Sequence, residues 1–162
     1  MAYFIDLFSP ETHDAFTRSR RTISGFRARQ KKAAERVNPG DVLVCYVTRL
    51  SRWCGLLKVV SGPFLSSNPI FVQEDDPFVV RFNVQPTVWL DFEKAIPIHD
   101  RAIWNGLSFT RNLDPGSIAW TGMVRGSLTR LTDSDGALLA EKLASQVTAE
   151  PSIHWTNRTT EG

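Results

Sequence analysis

The sequence has few residues that bind metals or form disulfides. It contains only two cysteines, Cys45 and Cys54, both in apolar, strand-like runs without a CxxC spacing. The three histidines, His13, His99 and His154, are far apart and have no partner at metal-ligand spacing. Structural zinc sites and secreted disulfide frameworks need such residues in closely spaced sets. The sequence therefore predicts no metal site, no cofactor and two reduced cysteines in the core.

Long apolar runs and familiar catalytic motifs are also missing. No window approaches the roughly 20 apolar residues of a membrane-spanning helix, and the chain begins without a basic leader. There is no Walker motif, no GxGxxG and no HExxH. We therefore expect a cytoplasmic protein that does not contact membranes and is not an enzyme. A small enzyme with dispersed catalytic residues is kept as an alternative.

The length and composition fit one globular domain. The chain has 162 residues, of which 42% are hydrophobic and 22% charged, and it contains no internal repeat. We expect the domain to cover residues 1–146 and residues 147–162 to form a tail or linker.

Positive charge is concentrated in one stretch. Residues 18–36 contain eight basic residues and one acid, so they carry +7, which leaves −5 for the rest of the chain. Cations that neutralise phosphates gain affinity by releasing counterions, so such a stretch is typical of a nucleic-acid surface. The alternative is a helix face that is merely solvated. The predicted phosphate-binding residues are Arg18, Arg20, Arg21, Arg27, Arg29, Lys31 and Lys32.

The apolar pattern predicts more strands than helices. Apolar runs that suit strands occur at 3–8, 42–47, 54–60, 78–84 and 88–90; those at 42–47 and 54–60 are rich in β-branched residues, and residues 61–63 are expected to end the third run. Pro86 should mark a bulge or an edge. Helices are predicted after Ser9, which is a suitable N-cap, over residues 26–37, and from Thr132 to about Ser145. The pattern predicts an α+β domain, a small open mixed β-barrel with flanking helices.

Three phenylalanines stand beside polar or basic segments. Phe26, Phe71 and Phe78 differ in this from aromatic residues inside apolar runs, although burial in the core is the usual fate of each. A base lifted out of its stack needs flat partners for its faces and hydrogen-bonding groups at its edge. A basic surface with available aromatic rings therefore favours nucleic-acid binding.

Several strings, taken in order, resemble the EVE domain, a member of the PUA-like superfamily and a relative of the YTH readers of methylated RNA. They cover nearly the whole domain: the first strand ending at Ser9; Gly25-Phe26-Arg27 with Gln30; Pro39-Gly40-Asp41 before a strand with Tyr46; Cys54-Gly55; Arg81-Phe82-Asn83-Val84; Ile96-Pro97-Ile98; and Arg125-Gly126-Ser127-Leu128-Thr129-Arg130-Leu131. The resemblance implies a PUA-like open barrel with an aromatic pocket for a modified base at its mouth.

The resemblance also implies which residues form this pocket. Where the families usually have a tryptophan, just before the glycine, this sequence has Ile23. Phe26 or a tryptophan from elsewhere, such as Trp53, would then complete the stack on the base. The implied base pocket consists of Ser9, Ile23, Ser24, Gly25, Phe26, Trp53, Phe71 and Phe78.

The function implied by the resemblance is recognition of a modified base by flipping it into that pocket. DNA is expected ahead of RNA, and 5-methylcytosine or 5-hydroxymethylcytosine ahead of N6-methyladenine. The domain would be the targeting module of a modification-dependent restriction system, with a nuclease or NTPase as partner domain or chain. The alternatives are an RNA-binding PUA-like module that recognises modified or structured RNA, and a barrel that binds proteins.

Overall fold

The computed structural model describes residues 1–70 and 77–149. Within these ranges lie seven strands and four α-helices, with short 3-10 helices at Ala28–Gln30 and Ala119–Val124. In chain order the elements are β1 (Tyr3–Phe8), α1 (Pro10–Arg18), β2 (Ile23–Phe26), α2 (Lys31–Ala34), β3 (Val42–Val47), β4 (Arg52–Leu65), β5 (Val80–Trp89), β6 (Ile96–Pro97), α3 (Arg101–Gly106), β7 (Arg130–Leu131) and α4 (Asp133–Gln146).

The strands form one mixed, open sheet. Its order is β2-β5-β4-β3-β1-β7, and β6 pairs with β4. The β1–β3 pair is parallel, and the other pairs are antiparallel. The helices are few and flank this sheet, so the predicted α+β class with an open mixed sheet is confirmed.

The sheet is buried on both faces. On β1, Tyr3 and Ile5 belong to one hydrophobic cluster, while Phe4 and Phe8 belong to the other, because successive side chains of a strand point to opposite faces. The first cluster packs against α3 and α4, and the second receives Phe16 from α1. A strand buried on both faces loses its alternating sequence pattern.

The turn from β1 into α1 forms as the sequence predicts. Ser9 Oγ accepts a hydrogen bond from the Thr12 amide at 3.1 Å, and the Ser9 amide donates to Thr12 Oγ1 at 2.9 Å. Pro10 occupies the first turn, where its missing amide hydrogen is not needed. This reciprocal cap fixes the end of β1, where the candidate site lies.

Three expectations on element bounds need correction. The helix predicted over 26–37 is divided, because Phe26 pairs with Val80 as the last residue of β2 and α2 spans only Lys31–Ala34. The strand expected to end at residues 61–63 continues to Leu65, since it still pairs with β5 there. The two runs on either side of Pro86 form the single strand β5, and the expected bulge lies beside this proline, since Leu57 pairs with Pro86 and Leu56 with Val88.

The second half of the chain contains a helix that the sequence pattern did not reveal. Asp100 caps α3 through its side chain, which accepts from the Ile103 amide at 3.2 Å, and Ile103 and Trp104 are buried. The last helix begins after Thr132, as predicted, and ends at Gln146. None of the described helices has the length and apolarity needed to cross a membrane.

A buried hydrogen bond joins two strands that are not neighbours in the sheet. Ser24 Oγ of β2 donates to Asp6 Oδ2 of β1 at 2.6 Å, although three strands stand between β2 and β1 in the sheet order. The sheet therefore curls until its β2 edge approaches β1. This curl creates the mouth in which the candidate site lies.

Candidate nucleic-acid interface

A pocket opens where the carboxyl ends of β1, β2 and β3 meet the segments that lead into β5 and β7. Its volume is about 340 Å³, which is within the usual range for small-ligand sites of roughly 300–1,000 Å³. We call it the Phe78 pocket. It is lined by Leu7, Phe8, Ser9, Thr12, Gly25, Phe26, Arg27, Arg29, Gln30, Thr48, Phe78, Arg125 and Ser127.

The aromatic part of the pocket consists of two buried rings and one accessible ring. Phe8 and Phe26 are each only 2% exposed, and Phe26 packs edge-on against Phe82 with centroids 5.9 Å apart. Phe78 is half-buried, and the Arg27 guanidinium carbon lies 5.3 Å from its ring centroid. Among these three rings Phe78 is therefore the one that keeps exposed surface, while Phe8 and Phe26 form the apolar floor.

Gly25 lets the segment before β5 lie directly against β2. A Cβ atom at this position would come within 2.9 Å of both Ile70 Cδ1 and Phe78 Cβ, closer than real Cβ atoms approach other heavy atoms. Any side chain here would push Phe78 and Ile70 away from the strand. The glycine thus sets the position of the accessible ring.

Most hydroxyl groups around the pocket already make hydrogen bonds within the protein. Ser9 and Thr12 cap α1, Thr48 Oγ1 donates to the Phe8 carbonyl at 3.2 Å, and Ser127 Oγ accepts from the Leu7 amide at 3.1 Å. Gln30 differs, because its half-buried side-chain amide makes no hydrogen bond within the described part of the chain. An amide offers donors and an acceptor together, which is what the edge of a base requires.

The electrostatics of the rim are positive. Exposed Arg27 and Arg29 stand on the β2 side, and exposed Arg125, from the segment before β7, also lines the pocket. Among the residues of 1–70 and 77–149 that line it there is no carboxylate. Guanidinium groups in this arrangement suit phosphates on either side of a nucleotide.

Asp6 and Ser24 lie behind the pocket and tie its walls together. Asp6 precedes the pocket residues at the end of β1, and Ser24 immediately precedes Gly25 on β2. Burial raises the pKa of Asp6 to about 7, and the hydrogen bond from Ser24 partly opposes that rise. The bond between them holds β1 and β2 at the spacing that the pocket requires.

The structure brings some of the predicted base-pocket residues together and places others elsewhere. Ser9, Gly25, Phe26 and Phe78 all line the Phe78 pocket. Ser24 points into the interior, and Ile23 lines a separate groove with Pro69 and Ile70. The prediction for Phe71 lies outside the described residues.

The placement of Trp53 at the pocket needs correction. Its side chain is fully buried and packs against Tyr46, with ring centroids 4.8 Å apart, in the cluster on the opposite face of the sheet. Phe26 and Phe8 belong to the other cluster. Trp53 therefore cannot complete a stack on a ligand in the Phe78 pocket.

The predicted phosphate-binding side chains are all exposed. Arg27 and Arg29 stand at the pocket rim, and Lys31 and Lys32 follow on α2. Arg18 differs, because it forms an ion pair with Asp14 at 2.9 Å. The remaining two residues, Arg20 and Arg21, line the groove of Ile23.

Sequence reasoning missed several pocket residues. Arg125, Ser127, Thr48 and Gln30 were not proposed as site residues, although Gln30 and the segment from Arg125 belong to the strings that carry the family resemblance. Their contacts to β1 span up to 120 positions, as between Leu7 and Ser127. Only those strings offered a signal for them.

The described residues contain no arrangement that could hold a metal ion. Within residues 1–70 and 77–149, no three His, Cys, Asp or Glu side chains come together in a suitable group. The thiols of Cys45 and Cys54 are buried, and burial raises their pKa values well above the ordinary range, so they are poor nucleophiles.

The comparisons with known proteins identify the fold. No protein-family model matches the chain, and no curated protein matches it. Similar solved structures include the YTH domain-containing protein Mmi1 in a complex with RNA, at 13% identity over 90% of this chain and 83% of that chain, with a TM-score of 0.60.

Two further YTH domains show the same similarity. The Pho92 YTH domain in complex with m6A is 14% identical over 88% of this chain and 82% of that chain, with a TM-score of 0.59. The YTH domain of Zygosaccharomyces rouxii MRB1 in complex with N6-methyladenosine RNA is 14% identical over 94% and 90%, with a TM-score of 0.55. This chain has the fold of these YTH domains, which agrees with the predicted α+β open sheet, while the PUA-like superfamily and the narrower EVE assignment stay predictions.

Proposed function

We propose that this chain is a non-catalytic reader that holds one modified base of a nucleic-acid strand in the Phe78 pocket. The observation that carries the proposal is the combination within one cavity of an accessible ring, an amide without a described partner, and a rim of arginines. A base flipped out of its stack needs these three things, namely a flat surface, an edge partner and cations for its phosphates.

The rim and the interior of the pocket have different roles. Arg27, Arg29 and Arg125 bind phosphates and carry no sequence information, since every nucleotide has the same phosphate. Phe78 stacks on the base, and Gln30 hydrogen-bonds to its edge. An added methyl group gains only about 1–3 kcal/mol from apolar contacts, so discrimination must also come from stacking and from a satisfied base edge.

The identity of the strand is the finer part of the proposal. The sequence favours DNA that carries 5-methylcytosine or 5-hydroxymethylcytosine, read on behalf of a nuclease or NTPase partner. A specific observation favours the second candidate, RNA that carries N6-methyladenine, because similar solved structures are complexes with RNA or with N6-methyladenosine. Both candidates use the same pocket, and only a 2′-hydroxyl contact distinguishes RNA from DNA.

A binding panel tests the proposal. Matched single-stranded DNA and RNA oligonucleotides carry no modification, 5-methylcytosine, 5-hydroxymethylcytosine or N6-methyladenine, and their affinities are measured at one fixed salt concentration. A reader prefers one modified oligonucleotide over its unmodified match and leaves it chemically unchanged after prolonged incubation. Equal affinity across the panel, or turnover of an oligonucleotide by the pure chain, would contradict the proposal.

A further inference from the structure

A second cavity lies next to the Phe78 pocket on the same strand. It has a volume of about 250 Å³, and we call it the Ile23 groove. Its lining residues are Ser19, Arg20, Arg21, Thr22, Ile23, Pro69 and Ile70. The groove therefore has an apolar floor and two arginines. A nucleotide matches this combination, because its base packs on apolar surface and its phosphate pairs with arginine.

Ile70 separates the groove from the pocket. Its side chain lines the groove and also lies over Gly25, since its Cδ1 would be 2.9 Å from a Cβ there. Ile23 and Gly25 are two residues apart on β2, so their backbones are about 6.6 Å apart at the usual rise of 3.3 Å per residue. The two cavities are neighbours on one continuous surface.

Arg21, one of the two arginines at the groove, is held in place by the end of α1. Arg21 has φ +59, a left-handed conformation that is uncommon for residues other than glycine. Its amide donates to Ser19 Oγ at 3.0 Å, and its Nε donates to the Thr17 carbonyl at 3.0 Å. The side chain is therefore anchored while it remains exposed, and exposed Arg20 makes no hydrogen bond or ion pair in the described part of the chain.

We propose that the Ile23 groove binds the nucleotide next to the flipped base, with its base on Ile23, Pro69 and Ile70 and its phosphate on Arg20 and Arg21. This inference rests on the proposed function of the Phe78 pocket. Ile70 stands between the groove and the pocket, so a base in one cavity cannot stack on a base in the other, and the groove selects a single-stranded or locally opened site.

An abasic substitution beside the modified base tests the inference. The probes are short single-stranded RNA with N6-methyladenine and DNA with 5-methylcytosine, each with an intact neighbour or an abasic neighbour on the 5′ or the 3′ side. An abasic site removes the neighbouring base and keeps its phosphate. We expect the abasic site on one side to weaken binding about five- to tenfold, since a base that loses its apolar contact forfeits about 1–1.4 kcal/mol.

Two variants show whether the groove is responsible. Ile23→Ser should lower affinity for the intact probe and remove the penalty of the abasic site, because both changes delete the same contact. Arg20→Gln should weaken all probes up to about fivefold. Arg111→Gln is the matched control, since Arg111 is exposed and lines neither the groove nor the Phe78 pocket, and it should change binding little.

The possible outcomes separate this inference from the proposed function. If abasic neighbours on both sides bind as tightly as intact ones while pocket substitutions still weaken binding, the groove is not a nucleotide subsite and the pocket stands. If an abasic penalty persists unchanged in Ile23→Ser, the neighbouring base lies elsewhere and the inference is wrong. If no oligonucleotide binds, both the pocket and the groove assignments are overturned.

Discussion

Replacing Phe78 by alanine removes the one half-exposed ring of the pocket. The ring stacks on the bound base in the proposed complex, and such stacking contributes about 1–3 kcal/mol per base. The affinity for the preferred modified oligonucleotide should therefore fall about five- to a hundredfold. The fold should be little affected, because Phe78 precedes β5 and is not among the buried core residues.

The loss should be selective for the modified base. Arg27 loses its contact with the ring, which contributes about 0.5–1 kcal/mol at an exposed site, but it keeps its charge. Binding of the phosphates, and with it the slope of affinity against salt concentration, should therefore be retained. Fluorescence anisotropy with modified and unmodified oligonucleotides at several salt concentrations measures both quantities, and a melting temperature checks the fold.

Two other phenylalanines serve as comparisons. Phe109 is half-buried against the opposite hydrophobic cluster and does not line the pocket, so Phe109→Ala should leave the preference for the modified base intact. Phe26 is 2% exposed, so Phe26→Ala should cost about 3–5 kcal/mol of stability and weaken all ligands through unfolding. The reasoning is refuted if Phe78→Ala keeps the full preference, or if it loses affinity equally for modified and unmodified strands.

Four further substitutions, made in three experiments, test other parts of the account. Charge reversal at Arg29 and Lys32 should weaken modified and unmodified strands alike and flatten the salt dependence, and an unchanged salt slope would exclude their role as phosphate ligands. Gln30→Met keeps the length of the side chain but removes its amide without adding charge, so it should change the preference among modified bases more than the salt slope, and equal losses for all bases would contradict a role at the base edge. For Asp6, burial raises the folded-state pKa from 3.8 to about 7, so ionisation destabilises the fold and stability falls as pH rises from about 4 to about 7, by as much as about 4 kcal/mol. Asp6→Asn should remove that fall in a series of denaturant titrations, and an unchanged pH profile would show that Asp6 does not cause it.

Signals between residues close together in the sequence were sufficient to predict where α1 and α4 begin. Ser9 with Pro10 predicts the start of α1, and Thr132 predicts the start of α4, because a capping side chain bonds to backbone amides within three residues. The basic helix was predicted too long because the prediction used local signals alone. Residues 26–37 favour a helix locally, but Phe26 is held in β2 by its pairing with Val80 of β5.

The error at Trp53 has a different physical cause. Trp53 and Cys54 are consecutive in β4 and point to opposite faces, yet both are fully buried. A strand with two buried faces has no polar side to reveal its orientation, so the sequence could not say which face Trp53 occupies. The register of β4 against β3 also shifts beside Tyr46, which no local pattern indicates.

The pocket was predicted in the part that adjoins β1 and β2. Ser9, Gly25 and Phe26 lie in strings that could be recognised, and Phe78 follows from its position beside a polar loop. Arg125 reaches the pocket through the pairing of β7 with β1 and the hydrogen bond from Leu7 to Ser127, which are contacts between the two ends of the domain. Such a contact depends on the complete topology and has no local signature.

The central claim is that a modified base enters the Phe78 pocket, and an NMR titration tests it most directly. ¹H–¹⁵N spectra of the uniformly labelled chain are recorded with increasing amounts of the modified oligonucleotide and of its unmodified match. We predict that the amides of Gly25, Gln30, Phe78 and Ser127 shift and saturate with the modified strand, and shift less with the unmodified one. Shifts confined to the exposed face of α2, with the pocket amides unchanged, would contradict the account.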